Sequence, residues 1–189
     1  NFQSPHTTHL FVQWFISELE EIKKVLNSPV CVAPARHPQR WKPPVAGMVK
    51  INVDRGLSRD GATGASAAVC RDDEGRFLGS SSMVFPGVID PACLEALACR
   101  EAQALALDLN LGKVIISCES KGVVDDIKND AHGMNGTIFH EIKQNQLLFQ
   151  AYNIVYEARD TNKEAHSLIK NSVSFSRSRH LWLGGYPHD

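Results

Sequence analysis

The hydrophobic pattern changes period along the chain, and the order of those changes limits the fold more than any other feature. "MVKINVD", residues 48–54, alternates as a strand does: Val49, Ile51 and Val53 fall on one side, Lys50, Asn52 and Asp54 on the other. "ASAAVC" (65–70) and "RFLGSSSMVF" (76–85) read as two more strands. Between them "RDDEG" is a hairpin turn, with Gly75 free to adopt a positive φ. From Asp90 the pattern becomes helical. Asp90-Pro91 supplies an N-cap and a proline at the first helical position, and "ACLEALACREAQALALDLN" (92–110) runs on to a stop at 110–112. "KVIISCE" (113–119) is apolar nearly throughout, as a central parallel strand covered on both faces must be. A short helix "VVDDIKN", a helix near 137–150, a strand "YNIVYEA" and a helix over "KEAHSLIKNSVSF" complete the series. The order βββαβαβα predicts an α/β fold. Its mixed five-stranded sheet has three antiparallel strands followed by two parallel ones, flanked by helices.

Upstream, residues 8–27 form an amphipathic helical pattern, with Phe11, Phe15, Leu19, Ile22 and Leu26 at steps of three or four; Ser28-Pro29 ends it. The expected organisation is an N-terminal helix and linker (1–40), a folded domain (41–175) and a tail (176–189). The chain opens on Asn1 rather than Met, as a piece of a longer polypeptide would. Its 189 residues are 43% hydrophobic and 22% charged, the balance of a soluble globular chain. A net charge of −1 supplies no global positive field for nucleic acid, so any such contact must come from a local basic groove. No apolar run reaches the roughly 18 residues of a membrane span, so no membrane partner is expected. Five cysteines, an odd number with no C-x-x-C pair, read as reduced core thiols of an intracellular protein, nuclear or cytoplasmic. The eight histidines show no zinc-site spacing.

The topology brings certain charges together. Asp54 ends the first strand, Glu95 sits in the first turns of the long helix, and "ESK" (119–121) ends the fourth strand. Two carboxylates 4 Å apart repel by about 4 kcal/mol at an effective dielectric of 20. Such a cluster calls for a cation, and oxygen ligands favour Mg2+ or Mn2+.

The motifs "RWKPPVAGMVKINVD", "RDDEGRFLGS", "DPACLEALACREAQALALDLNLGKVIISCESKGVV", "IFHEIKQ" and "EARDTNKEAHSLIK" stand in order over residues 41–173. Together they resemble the plant RNase H-like family, related to retroelement ribonuclease H domains. The tail "HLWLGGYPHD" and the N-terminal helix resemble the flanks of the same family. The resemblance implies the RNase H fold and two-metal cleavage of the RNA strand of an RNA–DNA hybrid. Of the four catalytic positions it implies, the first falls on Asp54, where the usual following Gly-Ala is Arg55-Gly56. The second falls on Glu95 and the fourth on His166 of "NKEAHSLIK". The third, the aspartate of an E-S-D motif, falls on Lys121.

A charged lysine has no lone pair for a metal, and its positive charge would sit where a dication should bind. The expectation is therefore a disabled nuclease, in which Lys121 pairs with Asp54 and Glu95 and the domain needs no metal. If activity survives, Asp54, Glu95 and Glu119 are the expected metal ligands, with Asp125 and Asp160 as further substitutes. Arg55, Arg59, Lys121, Lys128 and Lys143, with Ser120 and Asn52, are the expected contacts to a hybrid. The alternative is an interaction module, binding a protein partner or a second copy of itself through the sheet edge or the N-terminal helix.

Overall fold

The computed structural model describes residues 40–185; the helical pattern at 8–27 and Cys31 lie outside them. Strands β1 (Val49–Leu57), β2 (Thr63–Arg71) and β3 (Phe77–Pro86) form an antiparallel meander, with Asp54 opposite Ala67 and Ala67 opposite Ser82. The β2–β3 turn forms because the Asp72 carboxylate accepts the backbone N–H groups of Glu74 and Arg76, while Gly75 takes a φ of +80°.

Helix α1 (Pro91–Asp108) starts where Asp90 accepts the Cys93 N–H at 2.7 Å, with proline in its first turn. Strand β4 (Lys113–Cys118) then lies parallel to β1, with Ile51 beside Ile116 and Asn52 beside Ser117. Helices α2 (Lys121–Asn129) and α3 (Gly136–Asn145) lead to β5 (Ala151–Tyr156), which pairs parallel with β4, and α4 (Lys163–Ser172) follows. Helix α3 stops earlier than its sequence pattern suggests, because the chain tightens into a 3-10 turn at Gln146–Leu148.

The sheet has six strands rather than the expected five, in the order β5-β4-β1-β2-β3-β6. The sixth, β6 (Arg179–Leu183), pairs antiparallel with β3 inside the segment read as a tail. Its five residues are too few for alternation to announce a strand, and tertiary contacts hold it. On one face Arg179 reaches Glu101 of α1; on the other the rings of His180 and Trp182 pack against Phe175.

Both faces of the sheet are covered. Ile51, Val53, Cys70, Val114 and Ile116 pack with α1, and Ala65, Ala67 and Val69 pack with Leu168 and Ile169 of α4. The polar side of β1 is therefore buried as well: Lys50, Asn52 and Asp54 are only 4–6% exposed. A buried polar group needs a partner. Lys50 donates to Lys42 O and to Glu157, and Asn52 accepts from Trp41 Nε1 at 2.9 Å. Close approach of α1 to β2 depends on Gly64, where a Cβ would lie 2.3 Å from Val88 O and 2.5 Å from Leu94. That approach brings the first turn of α1 over the end of β1.

Candidate functional site

At the carboxyl ends of β1 and β4 a cleft of about 350 Å³ is lined by Asp54, Arg55, Pro91, Ala92, Glu95, Glu119, Ser120 and Arg159. Crevices at this end of parallel strands are the usual ligand sites of α/β sheets. Each acidic group reaches the cleft by a different route. Asp54 and Arg55 are consecutive in β1, so they face opposite sides of the sheet. Arg55 turns toward α1 and Asp54 toward α4. Glu95 comes from the first turns of α1, and Glu119 is the residue immediately after β4.

Nearly every carboxylate oxygen in the cleft has a nitrogen facing it. Asp54 Oδ1 accepts the Arg55 backbone N–H at 2.8 Å, and Oδ2 lies 2.9 Å from His166 Nδ1. Glu95 Oε1 accepts the Glu119 backbone N–H at 3.1 Å and the Cys118 thiol at 3.2 Å. Its second oxygen, Oε2, has Arg55 Nε at 3.7 Å. Glu119 Oε1 accepts from Asn162 Nδ2 at 2.9 Å, and Oε2 has Arg159 Nε at 4.0 Å. A terminal nitrogen of Arg159 also lies 3.3 Å from the His166 ring. Asn162, 2% exposed, ties Glu119 to the sheet, because its amide also donates to Val53 O.

Burial pushes the Glu95 carboxyl above its ordinary range; nearby Asp54 adds to that, while the Cys118 thiol and Arg55 oppose it. Glu119 is raised for the same first reason, against the hydrogen bond from Asn162.

Four of the residues singled out in the sequence thus come together: Asp54, Glu95, Glu119 and His166. Lys121 does not join them. The expected pairing of Lys121 with Asp54 and Glu95 is replaced by Arg55 at Glu95 and His166 at Asp54. Period-two alternation stops at Cys118, Ser120 caps α2 by accepting the Val123 N–H, and Lys121 is the exposed first residue of that helix. Asp125 and Asp160 are also exposed and outside the cleft lining. Of the expected hybrid contacts, Arg55 and Ser120 line the cleft, whereas Asn52 is buried under Trp41 and Lys143 donates to Lys128 O on the α2–α3 side. Arg59 is exposed in the β1–β2 loop.

Sequence reasoning missed three residues. Asn162 had a signal, since it opens the "NKEAHSLIK" motif. Arg159 and Cys118 also lie within quoted motifs, but nothing in their residue type or spacing marked them.

A divalent cation does not fit this arrangement. The donors have the right chemistry, but among the described residues no three acidic, imidazole or thiol groups converge on a common point. The outward oxygens of Glu95 and Glu119 face guanidinium groups instead.

The model of the Reverse transcriptase-like family matches residues 52–172. No curated protein matches by sequence. Among solved structures, RNase H1 from the halophilic archaeon Halobacterium salinarum superposes with a TM-score of 0.60 at 16% identity, covering 67% of this chain and 97% of that one. The N-terminal RNase H domain of a Mycobacterium tuberculosis protein, solved as a fusion with maltose-binding protein, gives 0.60 at 18%, covering 67% and 93%. LC11-RNase H1 in complex with an RNA/DNA hybrid gives 0.58 at 17%, covering 66% and 96%. These likenesses establish an RNase H fold. Among the described residues no helix is long and apolar enough to cross a membrane.

Proposed function

The chain belongs to the Reverse transcriptase-like family, and from that premise we propose that its cleft binds nucleic acid as an RNA–DNA hybrid, with metal-dependent cleavage weak or absent. The observation that carries this reading is the meeting of Asp54, Glu95 and Glu119, drawn from three different elements, in one cleft of an RNase H fold. A structural relative holds an RNA/DNA hybrid on the same fold. We assign the third acidic position to Glu119 rather than to Lys121, since Glu119 is the residue after β4 that lines the cleft.

Each side chain then has a defined task. Arg55 and Arg159, both at the cleft, are donors for backbone phosphate oxygens. Asn162 fixes the Glu119 carboxylate, His166 holds Asp54, and the Glu119 N–H with the Cys118 thiol holds Glu95. A bound hybrid would be read through its backbone and groove shape, and the balanced charge of the cleft makes that binding modest and salt-sensitive. Mg2+ or Mn2+ would supply the charge for hydrolysis in an active relative of this design, but the carboxylate oxygens here are already engaged.

Fluorescence anisotropy with a labelled RNA–DNA hybrid, repeated with duplex DNA and across a salt series, tests the binding. Hybrid-preferring, salt-dependent binding with little cleavage in Mg2+ or Mn2+ is the expected result. No binding at low salt refutes the binding claim, and rapid cleavage refutes the catalytic one.

The interaction-module reading, as a protein partner's docking site or a homodimer, has one observation of its own. Strand β6 is a sheet edge carrying Leu181 and Leu183, 39% and 57% exposed. Light scattering on the full chain separates it: a concentration-dependent dimer favours this second reading.

A further inference from the structure

The strand after Asp54 continues with an arginine, and the alternation of β1 sends that arginine to the α1 side of the sheet, where Glu95 stands. Glu95 Oε1 is spent on the Glu119 N–H and the Cys118 thiol. Only Oε2 remains for a cation, and Arg55 Nε lies 3.7 Å from it. Glu95 is 3% exposed, so this carboxylate has little water to solvate it. Arg55 itself is 37% exposed in its side chain, resting at the mouth of the cleft rather than locked in the core.

We infer that Arg55 is a built-in counter-ion that occupies the cation position of the Asp54–Glu95 corner and keeps divalent metal ions out of it. The inference rests on the family reading of this cleft and deepens it, by naming the residue that sets the metal affinity. A dication entering here must either displace the guanidinium from Glu95 or sit beside its positive charge, and both options weaken binding. Arg159 at Glu119 is a lesser obstacle: it is 69% exposed, its contact is longer at 4.0 Å, and Asn162 already satisfies the other Glu119 oxygen. Removing the side chain of Arg55 leaves Glu95 Oε2 without a cation while Asp54 still faces His166, and a bared carboxylate with a second one nearby draws a hard cation with oxygen preference.

The test is Mn2+ binding measured by electron paramagnetic resonance, with Mg2+ binding by calorimetry, on the full chain in the absence of nucleic acid. Arg55→Gly is expected to bind Mn2+ at least tenfold more tightly than the unaltered protein, and Arg55→Lys, which keeps the charge, is expected to stay within about threefold of it. Arg55→Gln, neutral and compatible with a strand, decides the matter should the glycine variant fail to fold. The gain must vanish when Glu95→Gln is added, because the ion is then deprived of its carboxylate. Unaltered protein that binds Mn2+ as tightly as the neutral variants overturns the inference, and so does a gain that survives Glu95→Gln. Hybrid binding in EDTA is scored separately. Its loss sinks the proposed function while leaving the metal result standing, and a flat metal result sinks the inference while leaving hybrid binding standing.

Discussion

Helix α1 presents a buried glutamate to an arginine in each of its halves. In its second half, Glu101 (6% exposed in its side chain) accepts from Arg179 Nε at 2.7 Å, and Asp108 meets another nitrogen of the same guanidinium at 2.6 Å. The Asp108 contact is a charge contact rather than a directional hydrogen bond. In its first half, Glu95 (4% exposed in its side chain) has a single arginine contact, at 3.7 Å, on the wall of an open cleft. One arginine is shared by two carboxylates and fastens the edge strand β6 to α1. The other stands off its partner, and the carboxylate is instead held by a backbone N–H and a thiol. The same chemical pair serves cohesion at one end and a ligand cleft at the other. The distance and the number of partners distinguish them.

Breaking each pair should expose that difference. Arg179→Ala leaves Glu101 buried without its cation and frees β6, so it is expected to cost about 3 kcal/mol in a denaturant titration, with no recovery when Mg2+ is added. Asn162→Ala removes two buried hydrogen bonds, to Val53 O and Glu119, and should cost about 2 kcal/mol; its hybrid affinity should fall further than its stability accounts for. Arg55→Gln should shift stability by less than about 1 kcal/mol, the size of a partly exposed ion pair. Unlike the Arg179 change, its deficit should disappear in millimolar Mg2+ as followed by thermal melts.

The smallest effect concerns pH. Burial holds the Glu95 carboxyl above its ordinary value of 4.5. A raised native-state pKa contributes stability that is complete below 4.5 and is lost as pH rises through the raised value. Glu95→Gln keeps an oxygen for the Glu119 N–H and carries no charge to desolvate. It should therefore melt slightly higher than the unaltered protein at pH 7 and indistinguishably from it near pH 4. A gap that widens toward acid would contradict burial as the cause.

How much of this was legible beforehand differs from residue to residue. Asp54, Glu95, Glu119 and His166 were all named from sequence, and they do meet: strand ends and a helix start, written locally in alternation, an N-cap and a proline, place the three carboxylates, whereas His166 came with the family resemblance. Lys121 was carried into the group by the resemblance, which set the aspartate of an E-S-D motif on it. The backbone turns into α2 at Ser120, and the register that would have aimed Lys121 at Asp54 is lost there. Asn52 and Lys50 fell on the polar side of β1, yet both are buried, Asn52 under Trp41 and Lys50 against Glu157. Strand β6 was invisible because its partners, Glu101, Asp108 and Phe175, lie far away in the chain or carry no period of their own.

The sequence by itself determined the element order, the parallel placement of the central strand and the placing of Asp54, Glu95 and Glu119 at the strand ends and helix start that meet at the cleft. These follow from short-range backbone preferences and apolar periodicity, which need no distant partner. Only the tertiary structure decided which cation faces which carboxylate. That choice depends on the side of the sheet each residue occupies and on how closely α1 and α4 approach it, and so Arg55, not Lys121, stands against Glu95.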